Sequence, residues 1–164
     1  MTSKLQKNLQ FILEFLTSKG QTISVAESCT GGYLSYLLTT FPGSSVVFKQ
    51  GLVTYSNISK SNHLQIELEL IERLGAVSTE IAVLMAQQIR ELSHTSFGIG
   101  LTGNAGPSIV EKSKQVGEVY VSLSSKHNTV CYLLKIDGDR DQIRKKSAEQ
   151  AVHLLADFFR KEPS

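Results

Sequence analysis

The sequence predicts an α/β domain in which helices are layered on a mixed sheet. Helical and strand-like patterns alternate through the first two-thirds of the chain, and a hairpin pattern followed by a long helix completes it. The length of 164 residues fits a single domain over residues 1–164. A chain of this size buries a core without disulfides or structural metals.

The first predicted elements are a helix, a short strand and a second helix. Apolar side chains recur at helical spacing over residues 5–16, and Lys19-Gly20 provides a basic last turn and a glycine cap. Residues 22–26 predict a buried strand. Another helix is predicted after Gly31-Gly32, and the Pro-Gly-Ser-Ser sequence at residues 42–45 ends it.

The middle of the chain predicts a strand followed by helical segments. Residues 46–55 are rich in β-branched and aromatic side chains and predict a strand that bends near Gly51. Helical patterning continues in pieces over residues 59–74. Ser78 is a suitable N-cap for a helix over residues 79–92, which has one apolar face.

The last third predicts three strands and a helix. Residues 97–101 form a strand, residues 116–124 and 129–136 form a hairpin, and residues 137–161 form the closing helix. Residues 108–115 are expected to be a mobile surface loop.

Charge and cysteine content exclude several classes of protein. A net charge of +2 is too small to indicate binding to nucleic acid or to an anionic membrane, although a local basic excess suits a phosphorylated small molecule. Two cysteines do not make a disulfide framework, and no secretion signal or membrane segment is evident, which favours a cytoplasmic location. Zinc, P-loop and dinucleotide patterns are missing, so no metal or cofactor is expected.

The turn at Ser28 is the first candidate for chemistry. A β-rich run ends at Glu27-Ser28-Cys29-Thr30, and two glycines lead into a helical pattern. Such strand-to-helix turns direct backbone N–H groups at a ligand. A serine hydroxyl becomes a nucleophile only when a base accepts its proton. The four histidines lie in helical or hairpin positions without an evident carboxylate partner, so ordinary core or surface roles explain them more simply.

Lys60 is the alternative base. It follows Tyr55, which stands at the end of a predicted strand. Lysine titrates near ~10.4 in water, so it accepts a proton at neutral pH only if burial disfavours the ammonium. Without a buried partner, a solvated charge on a helix is the simpler interpretation of Lys60.

Two neighbours of Ser28 allow more than one interpretation. A helix N-terminus lowers the pKa of a thiol, so Cys29 is a rival nucleophile, but a small apolar filler is the simpler explanation. Glu27 is a base, a helix-cap partner or a support for Lys60.

A second polar loop follows the strand over residues 97–101. Gly103 and Gly106 allow the backbone to approach a ligand closely, and Thr102 adds a hydroxyl, although a plain turn has the same composition. Two such loops beside an apolar sheet predict a shared pocket. Arg140, before the last helix, either binds a phosphate or carboxylate or forms a weak surface salt bridge.

Seven motifs, in order, resemble those of one known family. They are Ala26-Glu27-Ser28-Cys29-Thr30-Gly31-Gly32, Pro42-Gly43-Ser44-Ser45, Val53-Thr54-Tyr55-Ser56-Asn57 with Lys60, Gly75-Ala76-Val77-Ser78, Thr102-Gly103-x-Ala105-Gly106-Pro107, Val116-Gly117 and Gly138-Asp139-Arg140. The chain is similar to the CinA C-terminal domain family over nearly its whole length.

The resemblance implies a three-layer α/β/α sandwich with a mixed, mainly parallel sheet, and a homodimer. It implies a metal-independent amidohydrolase that converts nicotinamide mononucleotide to nicotinate mononucleotide and ammonia. Ser28 would be the nucleophile and Lys60 its base, with Tyr55 beside them. The implied substrate-binding residues are Glu27, Cys29, Thr30, Gly31, Gly32, Thr102, Gly103, Ala105, Gly106 and Arg140.

The loop after Thr102 departs from the family pattern. Asn104 stands where an apolar residue is usual, residues 108–114 replace a glycine-rich run, and Gln115 stands where proline is common. A polar side chain at position 104 needs a hydrogen-bond partner if it is buried. These differences keep open a second function, a mononucleotide-binding or regulatory module with little or no turnover.

Overall fold

Five strands form one mixed sheet in the computed structural model, which describes residues 1–108 and 115–161. The strands are β1 (Ile23–Glu27), β2 (Phe48–Val53), β3 (Phe97–Gly103), β4 (Glu118–Ser124) and β5 (Thr129–Lys135), in the spatial order β2-β1-β3-β4-β5. β1 is parallel to β2 and β3, whereas β4 is antiparallel to β3 and β5. Of these five strands, β4 alone runs against the rest, so the prediction of a mixed, mainly parallel sheet is confirmed.

Helices cover both faces of the sheet and complete the three-layer α/β/α arrangement. They are α1 (Ser3–Lys19), α2 (Tyr33–Leu38), α3 (Ser44–Val47), α4 (Asn57–Leu64), α5 (Leu68–Leu74), α6 (Thr79–Leu92) and α7 (Arg140–Lys161). Apolar side chains of α1, α2 and α7 share one core with the sheet, and those of α4, α5 and α6 form a second core on the other face.

The alternation of side chains along β1 and β3 separates these two cores. Val25 and Ile99 belong to the core beneath α1 and α7, whereas Ala26 belongs to the core beneath α6. On the α6 face, Gly98 and Gly100 provide no side chain, and a Cβ atom at either position would lie 2.1–2.3 Å from a backbone oxygen of α6. Helix α6 therefore packs directly on the backbone of β3.

Most predicted elements are present, with their ends shifted by a few residues. Gly20 caps α1 in the left-handed conformation, at φ 62°, and the Ser78 side chain accepts a hydrogen bond from Ile81 N at the start of α6. The predicted surface loop falls mainly on residues 109–114, outside the described residues.

Two details near β2 differ from the predictions. The register irregularity of β2 lies at Lys49, since Ile23 pairs with Phe48 and Ser24 pairs with Gln50, so it falls two residues before Gly51, near which the bend was predicted. Val46 and Val47, which were predicted to begin the strand, instead end the short helix α3. Val47 is buried in the core that α1, α2 and α7 share with the sheet, and such tertiary packing overrides a weak local propensity.

Candidate active site

Three parallel strands end together and bring the predicted motifs to one edge of the sheet. Glu27 pairs with Val53 on one side and with Leu101 on the other. Ser28 N donates to Leu101 O at 2.9 Å, and Thr54 N donates to Glu27 O at 2.8 Å. The turn after β1 is thereby fixed to the segments that follow β2 and β3.

The Glu27 carboxylate holds the turn to the start of α2. It is fully buried and accepts five hydrogen bonds, from the N–H groups of Gly32, Leu34 and Ser35 and from the hydroxyls of Thr30 and Ser35. A carboxylate is well suited to this position because the first N–H groups of a helix have no partner within the helix. The geometry therefore favours the helix-cap interpretation of Glu27.

Ser28 and Lys60 meet at this edge, 32 residues apart in sequence. The Nζ atom of Lys60 lies 3.1 Å from Ser28 Oγ and also donates to Thr54 O at 2.9 Å. Lys60 is 1% exposed and Ser28 is 7% exposed. The Ser56 side chain caps α4 by accepting from Ser59 N, so Lys60 projects from the first turn of α4. A buried amine beside a serine hydroxyl is the arrangement needed for proton transfer between them.

A cavity of about 140 Å³ opens in front of this pair. Among the predicted residues, those that line it are Ser28, Cys29, Tyr55, Lys60, Thr102, Gly103, Ala105 and Arg140. The predicted residues outside its lining are Glu27, Thr30, Gly31, Gly32 and Gly106. The second group belongs to the turns that shape the cavity.

Arg140 connects two walls of the cavity. Its guanidinium donates to the Tyr55 hydroxyl and to Gly106 O. The weak surface salt bridge considered for Arg140 does not describe these contacts, because both acceptors belong to the predicted site.

Sequence reasoning did not identify the structural role of Arg144. Its side chain donates to the carbonyl oxygens of Cys29 and Thr30, at 3.2 and 3.1 Å, and ties α7 to the turn that bears Ser28. Its position four residues after Arg140 places both arginines on one face of the helix, which was the available signal. Asn57, Ala76 and Val77 also line the cavity.

Cys29 lies on the cavity wall but is chemically unlike Ser28. Its side chain is part of the core that α1, α2 and α7 share with the sheet, and burial raises the pKa of its thiol to about 12. The thiol is therefore protonated at neutral pH, and the thiolate is the nucleophilic form. This environment favours the interpretation of Cys29 as a small apolar filler.

Asn104 is a polar residue in the cavity wall and is only 1% exposed. Its Oδ1 atom accepts a hydrogen bond from Gly106 N at 3.0 Å, which fixes the orientation of the amide. Its Nδ2 atom has no hydrogen-bond partner among residues 1–108 and 115–161. The neighbouring Thr102 hydroxyl, by contrast, donates to Ala76 O at 2.7 Å.

Two other kinds of feature are missing from the described ranges, a metal site and a membrane-spanning helix. No group of three or more histidine, cysteine, aspartate or glutamate side chains there is arranged to hold a metal ion. The helices described there are also too short or too polar to cross a bilayer.

Comparison with known proteins gave consistent matches. The family model described as the CinA C-terminal domain matches residues 5–159. A putative competence-damage inducible protein from Alkaliphilus oremlandii is 42% identical over 146 residues, which cover 89% of this chain and 35% of that protein. A CinA-like protein from Acidobacterium capsulatum matches with the same identity and coverage. The chain thus spans about a third of the length of these curated relatives.

Solved structures share the fold over almost the entire chain. The competence/damage inducible protein CihA from Agrobacterium tumefaciens has a TM-score of 0.91 at 31% identity and covers 98% of each chain. The competence damage-inducible protein A from Klebsiella pneumoniae has a TM-score of 0.92 at 25% identity, over 97% of this chain and 99% of that one. These matches confirm the predicted fold class.

Proposed function

Because this chain belongs to the CinA C-terminal domain family, we propose that it is an amidohydrolase that deamidates nicotinamide mononucleotide to nicotinate mononucleotide and ammonia. The observation that supports this proposal most directly is the 3.1 Å separation of Lys60 Nζ and Ser28 Oγ beside a small cavity. The choice of substrate depends on the family resemblance and on the size of the cavity.

In the proposed first step, neutral Lys60 accepts the proton of Ser28 as Oγ attacks the carboxamide carbon. A neutral amine has one lone pair for that proton and two N–H donors. The carbonyl oxygen of Thr54, 2.9 Å from Nζ, accepts one of them, and that of Tyr55 lies 3.5 Å away. Lysine acts as a general base only in its neutral form, so the proposal requires that form of Lys60 at the working pH.

The tetrahedral intermediate carries a negative oxygen that needs hydrogen-bond donors. Gly31 N already donates to Ser28 O at 3.1 Å, so the backbone N–H groups of Cys29 and Thr30 are the candidates in this turn. One well-placed donor contributes about 3–4 kcal/mol to such a transition state.

The second half of the reaction uses the same groups in reverse. Lys60 returns its proton to the amide nitrogen, and the C–N bond breaks. Ammonia departs, and the acyl group remains attached to Ser28 as an ester. A water molecule then gives a proton to Lys60 and attacks the ester carbon. Lys60 returns that proton to Ser28 Oγ as the bond between Oγ and the carbon breaks, which releases the carboxylic acid and restores the serine hydroxyl.

The cavity and an adjoining groove suit the two parts of a mononucleotide. A cavity of about 140 Å³ is smaller than the ~300 Å³ or more of pockets that enclose a whole drug-sized ligand, so it suits one substituted ring. A groove of about 410 Å³ shares Asn57 and Ala76 with it and is also lined by Arg73. The ribose and phosphate are proposed to lie outside the cavity, within reach of Arg140 or of this groove.

The proposal is tested by measuring ammonia release from nicotinamide mononucleotide. The wild type should release ammonia, whereas Ser28→Ala should release none and still bind the mononucleotide in a calorimetric titration. Binding without ammonia release by the wild type would instead support the second function, a binding or regulatory module. That alternative is favoured by one observation, the polar Asn104 in the cavity wall.

The proposal includes a cytoplasmic homodimer. Tyr36, Val53 and Ile58 expose 63%, 49% and 62% of their surface, and β2 stands at one end of the described sheet. Exposed apolar side chains of this size favour an interface with another protein surface. Light scattering should give a mass near twice that of the 18.0 kDa chain, and a monomer would contradict this part of the proposal.

A further inference from the structure

The Nδ2 group of Asn104 is a buried hydrogen-bond donor without a partner in the described residues. Leaving such a donor unpaired is destabilising, so buried amides normally bind something. The other end of the same amide is fixed, because Oδ1 accepts from Gly106 N. Rotation of the amide by half a turn would place its NH₂ group against that N–H, so Nδ2 keeps its position as the unpaired end.

The surroundings of Asn104 indicate what its partner is. The residue lies in the wall of the cavity that contains Ser28 and Lys60, and other parts of that wall are the apolar side chains of Ala76 and Val77. A donor in such a wall selects a ligand that offers an acceptor there. The cavity holds one substituted ring, so the acceptor must belong to the part of the substrate that enters with its reacting group.

We infer that Asn104 is a specificity-determining residue whose Nδ2–H donates to the carbonyl oxygen of the substrate carboxamide. This inference rests on the proposed function. In a pyridinium carboxamide, the ring nitrogen carries the ribose and has no lone pair, and the amide nitrogen is a donor. The carbonyl oxygen is therefore the acceptor of that fragment, and Asn104 supplies the matching donor.

A binding experiment with a matched pair of ligands tests this contact. The ligands are nicotinamide mononucleotide and its thioamide, in which sulfur, a weak acceptor, replaces the carbonyl oxygen. Calorimetric titration of Ser28→Ala gives the ratio of the two dissociation constants without turnover. The oxygen ligand should bind about tenfold more tightly, as expected for one hydrogen bond to a buried donor.

Two substitutions of Asn104, each added to Ser28→Ala, distinguish a contact with the ligand from a structural role in the loop. Asn104→Asp keeps an acceptor for Gly106 N and removes the donor, whereas Asn104→Leu removes both. Each substitution should lower the preference for the oxygen ligand over the sulfur ligand by about fivefold or more. Comparing the two ligands in the two proteins forms a double-mutant cycle, which isolates the interaction between the changed side chain and the changed ligand atom. Asn62→Asp, which makes the same chemical change at an exposed position of α4 outside the cavity lining, should leave the preference unchanged.

Each result decides for or against the inference. An unchanged preference in Asn104→Asp, an effect confined to Asn104→Leu, or an equal effect of Asn62→Asp would overturn it. Absence of any binding by nicotinamide mononucleotide would overturn both this inference and the proposed substrate. The expected pattern of preferences without ammonia release by the wild type would support the contact and contradict the proposed catalysis. Ammonia release by the wild type with an unchanged ligand preference in Asn104→Asp would support the proposed catalysis and contradict the Asn104 contact.

Discussion

Lys60 Nζ lies 3.1 Å from Ser28 Oγ, and both side chains are buried at the edge of the sheet. If Lys60 is the base, its replacement by Lys60→Met should lower kcat about 10²–10⁴-fold, because methionine fills the space without accepting a proton. Ammonia release measures the effect. Lys49→Met is the control, since Lys49 is exposed and its Nζ contacts only the Ser45 carbonyl in the described structure. Activity of Lys60→Met near that of the control would contradict the assignment.

Cys29 should be unreactive although it adjoins Ser28. Burial raises the pKa of its thiol to about 12, so the thiolate fraction is negligible at pH 7.5 and increases only toward strongly alkaline pH. Iodoacetamide at pH 7.5 should leave Cys29 unmodified by mass spectrometry and should leave ammonia release unchanged. Rapid alkylation of Cys29 with loss of activity would favour a cysteine nucleophile.

Substitution of Arg140 should show whether its side chain binds the substrate phosphate or only positions Tyr55 and Gly106. If it binds the phosphate, Arg140→Ala should raise KM for the mononucleotide about tenfold or more and leave KM for the corresponding nucleoside nearly unchanged. If it acts only by holding Tyr55 and Gly106, both substrates should be affected equally. Lys145→Ala, at an exposed position on the same helix, should affect neither.

Glu27 should be essential to stability because its charge satisfies five donors. Glu27→Gln replaces one acceptor oxygen by an NH₂ group that faces donors, so the free energy of unfolding should fall by about 2–3 kcal/mol or more. Urea unfolding measures the change. Glu69→Gln, at an exposed helical position, should alter stability by less than about 0.5 kcal/mol. Equal effects of the two substitutions would contradict the structural role of Glu27.

His153 should make stability depend on pH. Partial burial, and then the charge of Lys4, lower the pKa of His153, and Asn8 lies 2.7 Å from its Nδ1. The folded state thus favours the neutral ring, so its stabilising effect is complete above the ordinary histidine pKa of ~6.5 and is lost as pH falls below it. His153→Gln should reduce the loss of Tm between pH 7 and pH 5. The exposed control His63→Gln should show the wild-type loss, and so would His153→Gln if the prediction is wrong.

The sequence allowed the fold and the principal candidate residues to be predicted because their signals are local. Gly20 and Ser78 mark helix ends by conformational and capping preferences that act within a few residues. The motifs around Ser28 and Lys60 indicated which residues to examine, although 32 positions separate them.

Long-range features could not be predicted in the same way. The missing partner of Asn104 Nδ2 and the contacts of Arg144 with the turn depend on how distant segments pack. Each of these requires coordinates, because no local pattern encodes which groups remain unpaired.

The glycines of β3 determine more than the packing of α6. Ala76 and Val77 lie just before Ser78, the N-cap of that helix, and form part of the cavity wall. A methyl group at position 100 would meet Ala82 O at 2.3 Å and Ala86 N at 2.6 Å, so it would force α6 and its leading loop outward. The position of one wall of the candidate cavity thus depends on Gly98 and Gly100, two residues in the middle of a strand that do not themselves line the cavity.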